Sequence, residues 1–408
     1  VESPASPGTE PSAGDRLHPE DGRALMAVAV QFFVNGALFA SFVPRLPELR
    51  DRLELGVDDI GLMLSAAGGA SLAGSAAVGR VIERFGTRRV IAGAGTIICA
   101  SLVVIGLAPT WPVLLAGLIG MLVFDVFVDV SMNLQGSWLS ARRSTPVMNR
   151  LHGLWSLGTL AGGLVASRVS AAGVDVGHHV IIVAGVSLLA IVGVVRNLPV
   201  VDMASSKPDP VGPTPAPAAG SPGPARYRSG TLVLFALAGV FAIAVEGTSL
   251  NWAAFRITDD FDVGSGVGAL GYVAVAGGMT AGRFVGDRLS ARFGPYRLMR
   301  WSTVLAGVGL TAATLGPAPG ISLAGYLAGG FGAAAMLPTL YDQAAQRPGR
   351  KGEGLGALTA GLRIADLVLP IAVGALAATS LSVGSSIAVI ALPGALGFLL
   401  VTALLRRQ

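Results

Sequence analysis

The sequence predicts an all-α membrane protein of twelve transmembrane helices in two pseudo-symmetric six-helix bundles, and three observations predict it. The first is composition: of 408 residues 52% are hydrophobic and 13% charged, with mean hydropathy +0.67. That is too little charge to cover a soluble globule of this size. The second is periodicity, since a bilayer core needs roughly 20 mostly apolar residues per helix and about twelve such runs are present. The third is an internal repeat. The charged run Gly79-Arg80-Val81-Ile82-Glu83-Arg84-Phe85-Gly86-Thr87-Arg88-Arg89 has a counterpart in Val285-Gly286-Asp287-Arg288-Leu289-Ser290-Ala291-Arg292-Phe293-Gly294. Both carry Val-Gly followed by Arg-Phe-Gly, and Gly86 and Gly294 are 208 positions apart, close to half the chain.

In chain order, residues 1–22 are rich in Pro, Ser, Gly and acids and read as a disordered tail rather than a signal peptide. The first bundle, 23–198, holds spans at about 24–43, 60–81, 90–107, 112–136, 151–171 and 180–198, with Pro44 and Pro47 stopping the first. Residues 199–230 carry eight prolines with Gly, Ala and Ser and read as an extended linker. The second bundle, 231–408, holds spans at about 231–252, 264–285, 298–315, 321–341, 354–377 and 383–405. The first spans of the two copies start 207 positions apart, in agreement with the offset of the charged runs.

The cations set an orientation. Loops on one side hold Arg80, Arg84, Arg88, Arg89, Arg142, Arg150, Arg196, Arg283, Arg288, Arg292 and Arg297 among others. The other side has Arg45, Arg50, Arg52, Arg168 and Arg256, mostly among acids. The positive-inside bias then places both termini and the linker in the cytoplasm. The pI near 9.9 reports this topology and requires no nucleic acid partner. Cys99 is the sole cysteine, and His18, His152, His178 and His179 lack metal-site spacing, so no metal or cofactor is expected.

The charged runs, the helix count and the linker resemble the major facilitator superfamily of secondary transporters. Gly79, Glu83, Arg84, Gly86, Arg88 and Arg89 are similar to that family's signature between its second and third helices, with Glu83 standing where the family has Asp. The second copy keeps Asp287, Arg288, Arg292 and Gly294 with one extra residue of spacing. Three further stretches, around Asp129 to Gly136, Arg150 to Gly158 and Glu246 to Trp252, resemble a bacterial subgroup related to fucose permeases and to the membrane protein of rhizopine-synthesis loci. The resemblance implies a monomeric carrier for a small organic solute, with a central cavity lined by the first, fourth, seventh and tenth helices.

Polar groups at membrane depth are costly and usually face partners or a water-filled cavity. Asp125, Asp129 and Asn133 recur every four residues and so share one face of the fourth span, and Gln31 and Asn35 do the same on the first. Glu246, with Ser249 near it, has no cation within a turn on its own helix. Arg363 and Asp366 are one turn apart and can pair. His152 and Trp155 on the fifth span, and Asn251 and Trp252 on the seventh, are candidates for substrate contact, weighed against helix capping and interfacial anchoring. A carboxylate facing a partly dry cavity can take and release a proton as access alternates, whereas a static interhelical pair is the simpler use. Glu83 and its neighbouring arginines are expected to pair across the gap between helices as a gate, with Gly79 and Gly86 letting the chain turn and the helices approach closely.

The function expected is therefore proton-coupled transport of a small organic solute by alternating access, without enzymatic chemistry. Export is favoured over sugar import because the cavity-facing helices show few aromatics and few paired amides. A sugar:proton symporter and a sensor or channel with a carrier-like fold are the alternatives. A membrane enzyme would need clustered catalytic groups at one face, and here ionisable groups are scattered over at least four helices.

Overall fold

A lipid-facing backbone must satisfy its own hydrogen bonds, and a helix does this within one segment. The computed structural model describes residues 19–142, 147–199, 229–346 and 353–407, and among them regular structure is helical. The first half holds α1 (Pro19–Phe42), the short α2 (Leu46–Arg52), α3 (Val57–Phe85), α4 (Thr87–Leu107), α5 (Trp111–Arg142), α6 (Met148–Ala171) and α7 (Val176–Asn197). The second half holds α8 (Ser229–Phe261), the single turn α9 (Ser265–Gly268), α10 (Leu270–Phe293), α11 (Pro295–Leu315), α12 (Pro319–Ala333), α13 (Met336–Gln346), α14 (Glu353–Ala377) and α15 (Val383–Arg407). Since α12 and α13 together make one span, the described residues contain twelve spans. The tenth breaks at residues 334–335 because Pro338 has no N–H to offer the Ala334 carbonyl.

Within the first bundle α1 packs on α6 and α7, and α5 packs on α3 and α4. In the second, α8 packs on α14 and α15, and α12 packs on α10 and α11. The bundles meet along two seams, α3 against α14 and α6 against α10. Glycine makes the first seam close. The missing Cβ of Gly68 would lie 2.9 Å from the Asp366 carbonyl, which Pro370 leaves without its helical donor. The Ser65 hydroxyl accepts the Ile371 N–H at 3.0 Å on the same seam.

Ten helices are apolar enough to be recognised as spans on composition alone, and α6 and α10 are the long helices left out. These two face each other between the bundles, so their polar residues are spent on contacts and on the cavity rather than on lipid. The repeat is visible in the backbone: α3 and α10 both end at a glycine of positive φ, Gly86 at 76° and Gly294 at 80°.

Several expectations need correction. Residues 19–22 are helical, so the tail is shorter than 1–22, while residues 1–18 and 200–228 lie outside the described residues. The charged run at residues 79–89 is not a loop: α3 runs to Phe85, Gly86 makes the turn, and α4 starts at Thr87. Gly79 does not serve close packing, because a Cβ there would meet open space. The eighth span runs to Phe293 rather than ending near 285. That carries Arg283 about 15 Å along the axis from the helix end, so it is no loop cation.

Candidate functional site

The two bundles enclose a cavity of about 220 Å³. From the first bundle it takes Phe39 and Phe42 of α1, Leu64, Gly68 and Ser71 of α3, and Leu122, Asp125 and Val126 of α5. From the second it takes Gly247, Thr248, Asn251 and Trp252 of α8, and Arg363, Asp366 and Pro370 of α14. The cavity helices are thus the first, second, fourth, seventh and eleventh spans. The tenth lines no part of it; Tyr341 of α13 acts electrostatically with Asp129, Glu246, Arg363 and Asp366 on the side of the termini. The expected scarcity of aromatics is overturned by Phe39, Phe42 and Trp252, which removes that part of the argument for export.

Asp125 sits near the middle of α5, and its position is fixed from another helix. The Asn35 side chain donates to its Oδ1 at 2.7 Å, and the Trp155 Nε1–H donates to the Asn35 carbonyl oxygen at 2.9 Å. Trp155 is therefore an internal hydrogen-bond donor and not an interfacial anchor. Its ring lies under the Arg283 guanidinium, 5.5 Å from centroid to carbon. Arg283 donates to the Ser156 hydroxyl of α6 and pairs with Glu246 of α8 at 3.3 Å. So Glu246, without a cation within a turn on its own helix, gains one from α10. A continuous chain of contacts runs Glu246, Arg283, Trp155, Asn35, Asp125, and it crosses from one bundle to the other.

On α14, Arg363 and Asp366 form an ion pair at 3.6 Å. The Arg363 charge also acts on Asp125 and Asp129 across the bundle boundary. Asp129 receives the Asn133 amide at 3.0 Å on its Oδ1 and 2.8 Å on its backbone carbonyl, so Asn133 serves α5 itself and Asp129 has no bond to the charged-run arginines among the described residues. Thr248 lines the cavity, and its buried hydroxyl has no hydrogen-bond partner among the described residues. Trp252 is 1% exposed and lines the cavity beside Asn251, which excludes the anchoring role for it.

Of the twelve candidates, Asp125, Asn251, Trp252, Arg363 and Asp366 line the cavity; Asn35, Asp129, Asn133, Trp155 and Glu246 lie outside the lining and belong to the contacts just described, and Gln31 and His152 stand apart from both. Gln31 is buried in the first bundle with its Oε1 unpartnered. His152 stands edge-on to Phe32, with ring centroids 5.3 Å apart, and lines no part of the described cavity.

Beyond the cavity, on the side away from the termini, polar contacts join the bundles. Arg50 of α2 holds both carboxylate oxygens of Asp259 on α8, one at 3.0 Å, and lies over the Phe255 ring at 5.4 Å. Ser170 of α6 donates to Glu48 at 2.5 Å and meets the Ser265 hydroxyl at 2.9 Å, while Ser167 donates to the Gly266 carbonyl at 2.7 Å. Glu48 is itself anchored by the buried Arg45 at 2.5 Å. On the side of the termini, Glu83, Arg84 and Arg89 are exposed, and among the described residues Glu83, Arg84, Arg88 and Arg89 make no ion pair. Arg84 lies instead over the ring of Phe85, and Arg292 of the second copy over Phe293. Arg288 is exposed, and the side chain of Asp287 lies outside the described residues.

Sequence reasoning missed Arg283, the Arg50–Asp259 pair, Thr248 and the Phe39–Phe42 wall. Arg283 had a signal: it falls inside the apolar span predicted at 264–285, where a cation needs a partner. The pairing of Arg50 with Asp259 joins residues 209 apart in sequence, and no local pattern reports it.

A profile of the Major Facilitator Superfamily matches residues 28–254, from α1 into α8. The membrane protein MosC of Rhizobium meliloti is 27% identical over 337 residues, 82% of this chain and 79% of MosC. An uncharacterized transporter of Sinorhizobium fredii is 28% identical over 324 residues, 78% of this chain and 81% of that protein. Among solved structures, the nucleoside transporter NupG superposes with a TM-score of 0.67 at 12% identity, covering 96% of this chain and 99% of NupG. A bacterial homologue of the lysosomal transporter Spinster, in an inward-facing and unoccupied conformation, does so with 0.63 at 15% identity, covering 96% of each chain. At such identities these two likenesses establish the fold, and they extend it over the second bundle, which the profile leaves largely unmatched. With the profile covering more than half of its residues, this multi-pass membrane transporter belongs to the Major Facilitator Superfamily.

Proposed function

We propose that the chain is a proton-coupled secondary carrier that moves a small organic solute by alternating access, working as a monomer in the bacterial cytoplasmic membrane with both termini inside. One observation carries the reading: Asp125 of the first bundle and Arg363 and Asp366 of the second converge on one mid-depth cavity, with Glu246 joined to Asp125 through Arg283, Trp155 and Asn35. Carboxylates that share cations across a bundle boundary change partners when the bundles rock, and a group that loses its cation in a dry site takes a proton instead.

The contacts around Arg50 and Asp259 close the cavity on the far side, and Glu83 and Arg84 on the near side, without an ion pair among the described residues, are the parts of a second latch. Rocking exchanges the two. The lining favours a solute with an apolar or aromatic body, given Phe39, Phe42 and Trp252 with one cavity amide, Asn251, among the described residues.

The test is purified protein in proteoliposomes carrying an internal pH dye, exposed in turn to sugars, amino acids and amphiphilic drugs. A carrier gives proton flux with a responding compound and saturable trans-stimulated counterflow; a channel gives no counterflow. Asp125→Asn and Glu246→Gln are each expected to abolish proton-driven accumulation while counterflow persists at saturating solute. Unchanged accumulation in both, at normal protein levels, removes protons from these residues.

A further inference from the structure

Charge balance around the cavity separates the carboxylates into two kinds. Glu246 has its own cation in Arg283 at 3.3 Å, and Asp366 has Arg363 one turn away at 3.6 Å. Among the described residues Asp125 and Asp129 form no ion pair. The cation that acts on them is the same Arg363, already balanced by Asp366. Asp125 meets Asn35 through Oδ1, and among the described residues no donor reaches its Oδ2. With its carboxylates ionised, the lining therefore carries one negative charge, that of Asp125, beyond what its single guanidinium balances among the described residues.

The walls agree with that sign. Phe39, Phe42 and Trp252 present aromatic rings to the cavity, and ring faces attract cations, more strongly where water is excluded. Thr248, 3% exposed, holds its hydroxyl in the lining without a partner, and a buried hydroxyl left unpaired is costly. The Asn251 amide stands one turn further along α8. An anion entering here would meet Asp125 and Asp366 in the lining, with Asp129 one turn below; a cation would meet Asp125, the lining carboxylate without an ion pair among the described residues.

We propose that the cavity takes an organic amine: a protonated ammonium group seated at Asp125, an aromatic or apolar body against Phe39, Phe42 and Trp252, and a polar substituent at Thr248 and Asn251. The inference rests on the carrier reading and adds the charge of its cargo. Arg363 is then a repulsive element, which sets the affinity for a cation below what the carboxylates alone would give.

Three probes with one body and different charge test this: 2-phenylethylamine, 2-phenylethanol and 3-phenylpropionate, titrated calorimetrically into the full-length protein in lipid nanodiscs. The amine is expected to bind saturably and at least tenfold tighter than the alcohol, with the carboxylate weakest. Asp125→Asn is expected to weaken the amine at least tenfold. Arg363→Gln is expected to tighten it several-fold, an outcome that damage to the fold would not produce and that remains available if Asp125→Asn fails to fold. Equal or tighter binding of the carboxylate, no binding of the amine, or weakened amine binding in Arg363→Gln overturns the proposal. Proton flux is scored separately in vesicles: flux driven by a neutral or anionic solute retains the carrier and rejects the amine.

Discussion

Arg283 illustrates how a single side chain can connect separate bundles. It pairs with Glu246 at 3.3 Å, donates to Ser156 and covers the Trp155 ring, with both members of the ion pair more than four-fifths buried. Removing one partner of a buried pair leaves an uncompensated charge and costs about 3–5 kcal/mol. Arg283→Met is therefore expected to destabilise by about 3 kcal/mol in chemical unfolding from mixed micelles. Arg283→Met combined with Glu246→Gln is expected to recover most of that, because the stranded charge is gone. Trp155→Phe is a milder probe. It keeps the ring beneath Arg283 but removes the donor to Asn35, a loss of about 1 kcal/mol, and is expected to lower proton-driven accumulation while leaving protein levels unchanged. The carboxylate stripe of α5 and the pairing of Arg363 with Asp366 were legible in sequence because each follows helical spacing on one element. Asn35 to Asp125 and Arg50 to Asp259 were not, because each joins elements whose distance in the chain says nothing about their distance in space.

At the scale of elements, the ends of α3 and α10 repeat one design. Each finishes in an Arg-Phe-Gly whose glycine has φ near 80° and ψ near 150°, a conformation essentially confined to glycine. Gly86→Ala and Gly294→Ala are each expected to cost about 1–3 kcal/mol, read as a fall in the thermal unfolding midpoint of the purified protein. Gly79→Ala is expected to be neutral, since a Cβ there meets nothing within 4 Å. Sequence repetition exposed the paired turns, but it could not separate the glycine that turns the chain from the one that merely sits in the helix. Helix ends were the weakest part of the reading for a related reason. Hydropathy stops where charge begins, whereas α3 and α10 continue through their charged residues into water, as amphipathic helix ends do. The same error hid Arg283, which stands two residues from the span end expected at 285 and so counts among the loop cations, whereas the helix runs on to Phe293.

For the whole molecule, the class and the twelve-span architecture were legible because bilayer thickness imposes them on any chain of this hydropathy. Which faces meet was not, since seams made of Gly68 against Asp366 and of Ser167 against Gly266 carry no hydropathy signal. These seams and the Arg50–Asp259 pair close the cavity on the side away from the termini, and the account holds that they open as the opposite side closes. Cysteine accessibility tests this most directly: Asn251→Cys in a Cys99→Ala background, in oriented vesicles, with a membrane-impermeant maleimide applied from either face. The account predicts labelling from both faces, with Arg50→Ala or Asp259→Ala raising the rate from the far face and lowering it from the face of the termini, and the exchanged pair Arg50→Asp with Asp259→Arg restoring the original ratio. Labelling from one face alone, unmoved by either latch variant, would contradict it.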